Sequence, residues 1–192
     1  MSHHDNSTTQ AGSAPPLRIR PATQADLPAI HAIYSQSVLT DVASWELTPP
    51  DEAEMARRMS ALLEQNFPYF VATIEDRVVG YTYASAYRPR PGYRFTVEDS
   101  IYVDTTAQRR GVGRQLLARL IAACEEQGFR QMMAVIGDSQ HVASIALHRA
   151  LGFAQVGLLP NIGFKFGRWL DAVLMQRPLG DGAGSMPEAH ER

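Results

Sequence analysis

Leu17-Arg18-Ile19-Arg20 alternates apolar and charged side chains, the period of a half-buried strand, and Pro21 ends it. Thr23 and Asp26 then stand at capping-box spacing, and Leu27, Ile30, Tyr34 and Val38 recur at helical intervals. Thr48 and Asp51 repeat that signature, with Pro49 as the starting proline of a second predicted helix. Its stripe is Met55, Met59 and Leu62, which we read as core filling. Tyr69 to Ile74 and Val78 to Ala86, separated by Glu-Asp-Arg, predict a β-hairpin. After a Pro- and Gly-rich loop from Arg88 to Arg94, a strand is predicted from Phe95 to Val103. A helix opens near Gly111, turns Leu117, Leu120, Ile121 and Cys124 to one face and closes at Gly128. Met132 to Ile136 predicts a strand, and Val142 to Leu151 a helix followed by Gly152. Phe153 to Leu158 and Trp169 to Gln176 complete the strands. The order predicts a mixed α/β domain over residues 17–179, with a sheet flanked by helices.

The flanks lack this periodicity. Residues 1–16 and 180–192 read as loose polar tails, and adjacent His3 and His4 as incidental. A length of 192 residues holds one domain, and 45% hydrophobic with 20% charged residues excludes wholesale disorder. A net charge of −2 weighs against nucleic acid or an anionic membrane as partner. The single Cys124 excludes an internal disulfide, argues against a cysteine-based zinc site, and on its apolar stripe reads as structural. No metal is expected. No apolar run is long enough to span a bilayer, and the N-terminus lacks a secretory h-region, so a cytoplasmic protein is expected.

The chemistry concentrates in SIYVDTTAQRRGVGRQLLARLI, residues 100–121. A strand runs into Gln108-Arg109-Arg110-Gly111-Val112-Gly113, and a helix follows at once. Glycines let a ligand approach the backbone, free N–H groups of a helix start attract anions, and Arg109, Arg110 and Arg114 add positive charge. A phosphate-bearing cofactor suits such a turn; a tight structural turn explains it as well. A dinucleotide fingerprint would need glycine where Leu116 stands, and a Walker loop needs Gly-Lys-Ser/Thr, which is missing.

The remaining Gln/Arg-x-x-Gly-x-Gly pattern resembles the GNAT superfamily of acetyl-CoA-dependent N-acetyltransferases. So does Ser-Ile-Ala-Leu-His-x-x-Leu-Gly-Phe within residues 135–153. The opening IRPATQADLPAIHAIY, the stretch TVEDSIYV and the ending GFKFGRWLDAVLMQ are similar to one branch, the phosphinothricin and methionine sulfone/sulfoximine acetyltransferases. The likeness covers nearly all of residues 18–179.

The resemblance implies roles. Glu98 becomes the general base that takes a proton from the acceptor ammonium; without the family, an ordinary strand-edge glutamate in an ion pair is the simpler reading. Ile101, Tyr102 and Val103 offer backbone groups to the pantetheine arm, and Arg109, Arg110, Gly111, Val112, Gly113 and Arg114 cradle the pyrophosphate. His148 is carried near the active site, as an acid for the leaving thiol or as a positioning group. His141 stands where the family usually has asparagine, which puts one pantetheine contact in doubt, and Thr105 or Thr106 replaces a frequent proline. Arg88 and Tyr93 match the region used for the acceptor's acidic end, while Arg90 and Arg94 read equally as a solvated basic loop. Trp45 walls the acceptor pocket or belongs to the core. The implied acceptor is a small amino-acid-like amine, and the implied assembly a homodimer through GFKFGRWLD. Another amine acceptor, or a catalytically weak CoA-binding module, is the alternative.

Overall fold

The computed structural model describes residues 15–187. Most of the predicted N-terminal tail and residues 188–192 of the C-terminal one lie outside the described residues. The elements run β1 (Leu17–Pro21), α1 (Leu27–Thr40), α2 (Glu52–Glu64), β2 (Tyr69–Ile74), β3 (Arg77–Ala86), β4 (Thr96–Val103), α3 (Val112–Glu126), β5 (Gln131–Gly137), α4 (Val142–Ala150), β6 (Ala154–Lys165) and β7 (Arg168–Pro178). The seven strands form one sheet in the order β1-β2-β3-β4-β5-β7-β6. Every neighbouring pair is antiparallel except β4 with β5.

Helices cover both faces. On β2, Phe70, Ala72 and Ile74 face a core built with Leu116, Leu117 and Leu120 of α3. Tyr69 and Val71 face the other way, toward Ile30, Val38 and Met59 of α1 and α2. Burial on both sides is why Tyr-Phe-Val-Ala-Thr-Ile reads as a continuous apolar run instead of an alternation. Met55 and Met59 are core residues, and Cys124 is buried on α3, as the periodicity predicts.

The boundaries differ from the sequence reading in two places. Helix α2 begins after Asp51, whose side chain accepts from the Glu54 N–H at 2.8 Å; Asp51, not Thr48, is its cap. Thr48 and Pro49 each precede a proline, which disfavours helical backbone there. Strand β6 extends to Lys165 and turns tightly through Phe166 and Gly167 into β7. Its pairing slips between Gln155 and Gly157 and again between Leu159 and Gly163, which accommodates Pro160. The bulges break the period-2 pattern that would have revealed the strand. Beyond β7, Arg130 Nη2 donates to Ser185 Oγ at 3.1 Å and holds the turns that follow Gly180.

Leu120 is fully buried between α3 and the sheet, whereas Leu39 is exposed. Leu120→Ala should cost about 2–5 kcal/mol. Leu39→Ala should stay within about 0.5 kcal/mol of wild type. Thermal unfolding checks this, at about 2–4 °C per kcal/mol for a chain of this size.

Candidate active site

Strands β4 and β5 pair over only three positions: Thr96 with Gln131, Val97 with Met132 and Glu98 with Met133. Beyond Glu98 they part. Ile101, Tyr102 and Val103 remain paired to β3, and Ala134 to Gly137 remain paired to β7. The two facing edges therefore carry backbone groups with no strand partner, and such groups seek one elsewhere. Two cavities follow the opening. An inner one of about 260 Å³ is walled by Glu98, Asp99, Tyr102, Ile136, His148 and Trp45, among others. A larger one of about 1040 Å³ runs past Ile101, Tyr102 and Val103 to the start of α3. They share Ile101, Tyr102, His141 and Ser144, so they form one continuous cleft.

The outer end is built for an anion. Arg109 (φ 60°) and Gly111 (φ 78°) adopt left-handed backbone, which turns the chain sharply into α3. The first turn of α3 holds no acidic residue, and its unpaired N–H groups face the end of the groove. Arg109, Gly111, Val112, Gly113 and Arg114 line the groove; Arg110 is exposed and does not. Val112 packs its side chain into the core, leaving its backbone for the site. His141 caps α4 at the junction of the two cavities, and its buried Nδ1 has no partner among the described residues. Open strand edge, arginines, helix start and orphaned nitrogen together fit a long phosphate-bearing carrier.

At the vertex stand three titratable groups. Glu98 is half-buried, and burial together with the Asp99 charge raises its pKa, partly offset by Arg88. Asp99 is buried, with Oδ2 3.1 Å from His148 Nε2. His148 Nδ1 lies 2.8 Å from the Ser144 carbonyl oxygen, which only accepts, so Nδ1 carries a proton. A neutral ring would then present a bare Nε2 to a carboxylate. The contact needs a second proton, so the pair is imidazolium with carboxylate or imidazole with carboxylic acid. Burial alone would lower the His148 pKa; the hydrogen bond and charge of Asp99, with the Ser144 carbonyl, raise it on balance. We favour the imidazolium form on that balance. The sequence reading missed Asp99. The available signal was a second carboxylate in a strand otherwise bound for the interior, since a buried aspartate calls for a partner.

The far wall is the loop between α1 and α2. Tyr34 Oη and Ser44 Oγ are 2.9 Å apart, Ser44 Oγ accepts from the Glu46 N–H, and Arg58 pairs with Glu46 at 2.6 Å. Trp45 lines the inner cavity. Arg88 and Tyr93 do not line it: Arg88 is exposed with its guanidinium 4.9 Å from the Tyr87 ring centroid, and Tyr93 stands edge-on to the same ring. Arg88 still reaches Glu98 electrostatically. Among the described residues no group of three or more His, Cys, Asp or Glu could hold a metal.

The Acetyltransferase (GNAT) domain family model matches residues 19–174. Phosphinothricin N-acetyltransferase of Alcaligenes faecalis is 51% identical over 170 residues, covering 88% of this chain and 86% of that protein. L-methionine sulfoximine/L-methionine sulfone acetyltransferase of Pseudomonas paraeruginosa is 44% identical, covering 82% and 92%. A crystal structure of a GNAT superfamily phosphinothricin acetyltransferase from Sinorhizobium meliloti, in complex with AcCoA, superposes with a TM-score of 0.88 at 52% identity, covering 90% and 94%. The chain belongs to the GNAT acetyltransferase family. It is an acetyl-CoA-dependent N-acetyltransferase.

The His148 pair sets a sign that can be measured. By ring-nitrogen NMR, His148 should titrate above the ordinary 6.5. Asp99→Asn should bring it below that value, because burial persists once the carboxylate is gone. The pair's contribution to stability should be fully present below the unfolded-state pKa and lost as pH rises through the folded one.

Proposed function

We propose that this enzyme acetylates the α-amine of a small amino-acid-like acceptor of the phosphinothricin and methionine sulfoximine/sulfone class, with Glu98 as general base. The observation that carries this reading is the half-buried Glu98 on the wall of a 260 Å³ cavity, where the cleft leaves the sheet. That volume is of amino-acid scale, below the roughly 300–1,000 Å³ of drug-sized sites. The acceptor class rests on the relatives' activities.

Bound acetyl-CoA supplies an activated thioester. The open edge at Ile101, Tyr102 and Val103 holds the pantetheine arm, with backbone N–H near Tyr102 and Val103 polarising the thioester carbonyl. Arg109, Gly111, Val112, Gly113 and Arg114 hold the pyrophosphate, with Arg110 exposed outside the groove, and His141 Nδ1 takes the contact usually made by asparagine. Glu98 removes one proton from the acceptor ammonium, directly or through water, so that the nitrogen lone pair attacks the thioester carbonyl. The C–N bond forms, the C–S bond breaks, and the sulfur leaves as CoA thiolate, which takes up the second proton lost by the nitrogen. A raised pKa makes the carboxylate a better acceptor for that proton. His148 positions: both ring nitrogens already face acceptors, so it keeps charge and geometry at the vertex instead of surrendering a proton. Trp45 walls the acceptor, and Arg88 with Tyr93 attracts its acidic end from the rim. The catalytic unit is residues 17–179. It pairs as a homodimer through the last hairpin, where Ile162, Phe164, Phe166 and Trp169 are exposed together. No described helix is long and apolar enough to cross a membrane.

Thiol release from acetyl-CoA across phosphinothricin, methionine sulfoximine, methionine sulfone, common amino acids, a polyamine and a short peptide tests the acceptor. Turnover should be confined to the oxyacid-like amino acids; turnover on the polyamine or peptide would replace the acceptor class. Glu98→Gln should lower kcat by about 10²–10⁴-fold. Protonated Glu98 is inactive, so kcat/KM should fall as pH drops through a limb lying above the ordinary 4.5.

A further inference from the structure

Where β6 passes the loop between α1 and α2 it presents two unlike faces. Ile162 and Phe164 are more than half exposed, while Gly163 and Lys165 alternate with them and face the α1–α2 loop. Lys165 is only 3% exposed. Its ammonium donates to the main-chain carbonyls of Asp41 at 2.8 Å and Ser44 at 2.7 Å. Two residues earlier, the β6 backbone lies against Trp45: a Cβ on Gly163 would stand 2.0 Å from Trp45 Cζ3. One strand thus grips the loop at both the carbonyl before Trp45 and the Trp45 ring.

Burying an ammonium is costly, and burial does lower the Lys165 pKa against the opposing charges of Asp41 and Glu46. Lys165 forms no ion pair within 4 Å among the described residues. An apolar side chain would be cheaper to bury there, so tight packing alone does not call for lysine. What the ammonium does is fix two carbonyls of a segment that has no ladder of its own between residues 41 and 51. That segment carries Ser44, Trp45 and Glu46 into the wall of the acceptor cavity.

We propose that Lys165 is a positioning residue for the acceptor, holding Trp45 and its loop as a preformed wall from 121 residues away. This rests on reading the inner cavity as the acceptor site. Lys165 lines neither cavity. Of the loop it holds, Ser44, Trp45 and Glu46 line the inner cavity alone, while Asp41 and Ala43 also border the carrier groove, so acceptor binding should respond more strongly than carrier binding.

The test uses the full chain in a Trp169→Phe background, which leaves Trp45 as the only indole. Lys165→Met should raise acceptor KM about tenfold with kcat within about twofold and a clearly smaller rise in the KM for acetyl-CoA. Trp45 emission should shift to the red and become more open to acrylamide quenching. Gly163→Ala keeps the lysine and displaces the ring directly, so it should produce the same pattern and serves if Lys165→Met does not fold. Unmoved Trp45 fluorescence and acceptor KM in Lys165→Met would overturn the proposal. So would a loss confined to kcat, or a displaced Trp45 in Gly163→Ala with acceptor KM unchanged. If the wild type acetylates none of the amines, the acceptor reading fails, while the fluorescence of the two variants still judges the clamp.

Discussion

Pairing between β4 and β5 stops after Glu98 and Met133, and the rest of the site depends on that interruption. A sheet that continued would satisfy its own backbone and leave no room between the strands. By parting there, β4 keeps its ladder with β3, β5 keeps its ladder with β7, and one polar edge of each turns to the cleft. The helix start at Gly111 lies at one end of the cleft and Glu98 at the other. The spacing between the two ends of the cleft is thereby set by the length of β4.

The vertex of the splay is also its most charged point. Asp99 and His148 close it from β4 and α4, with the imidazole anchored behind by the Ser144 carbonyl. Buried charge is tolerated here because each charge meets its counterpart. Glu98, one residue earlier, forms no ion pair among the described residues.

The wall of the inner cavity formed by residues 43–46 is assembled differently. It comes from an irregular loop, which cannot stiffen itself, and borrows rigidity from β6 through the Lys165 ammonium and the contact of Trp45 with Gly163. The same strand shows Ile162 and Phe164 outward. One face of the strand is thus exposed while the other holds the loop that walls the inner cavity.

By itself the sequence determined the order of most elements and the glycine turn into α3. These are local facts: periodicity, capping and turn chemistry act over a few residues. The sequence reading placed Glu98 on the right strand but late in it, whereas Glu98 is the third of the eight residues of β4. The α2 start and the length of β6 escaped because consecutive prolines and bulges disturb the local period. Only tertiary structure joined Asp99 to His148 and Lys165 to the loop at Asp41 and Ser44, and only it left Arg88 and Tyr93 off the cavity wall. Contacts across 49 and 121 residues leave no periodic trace, because nothing in a strand's alternation says which distant element will meet its buried side.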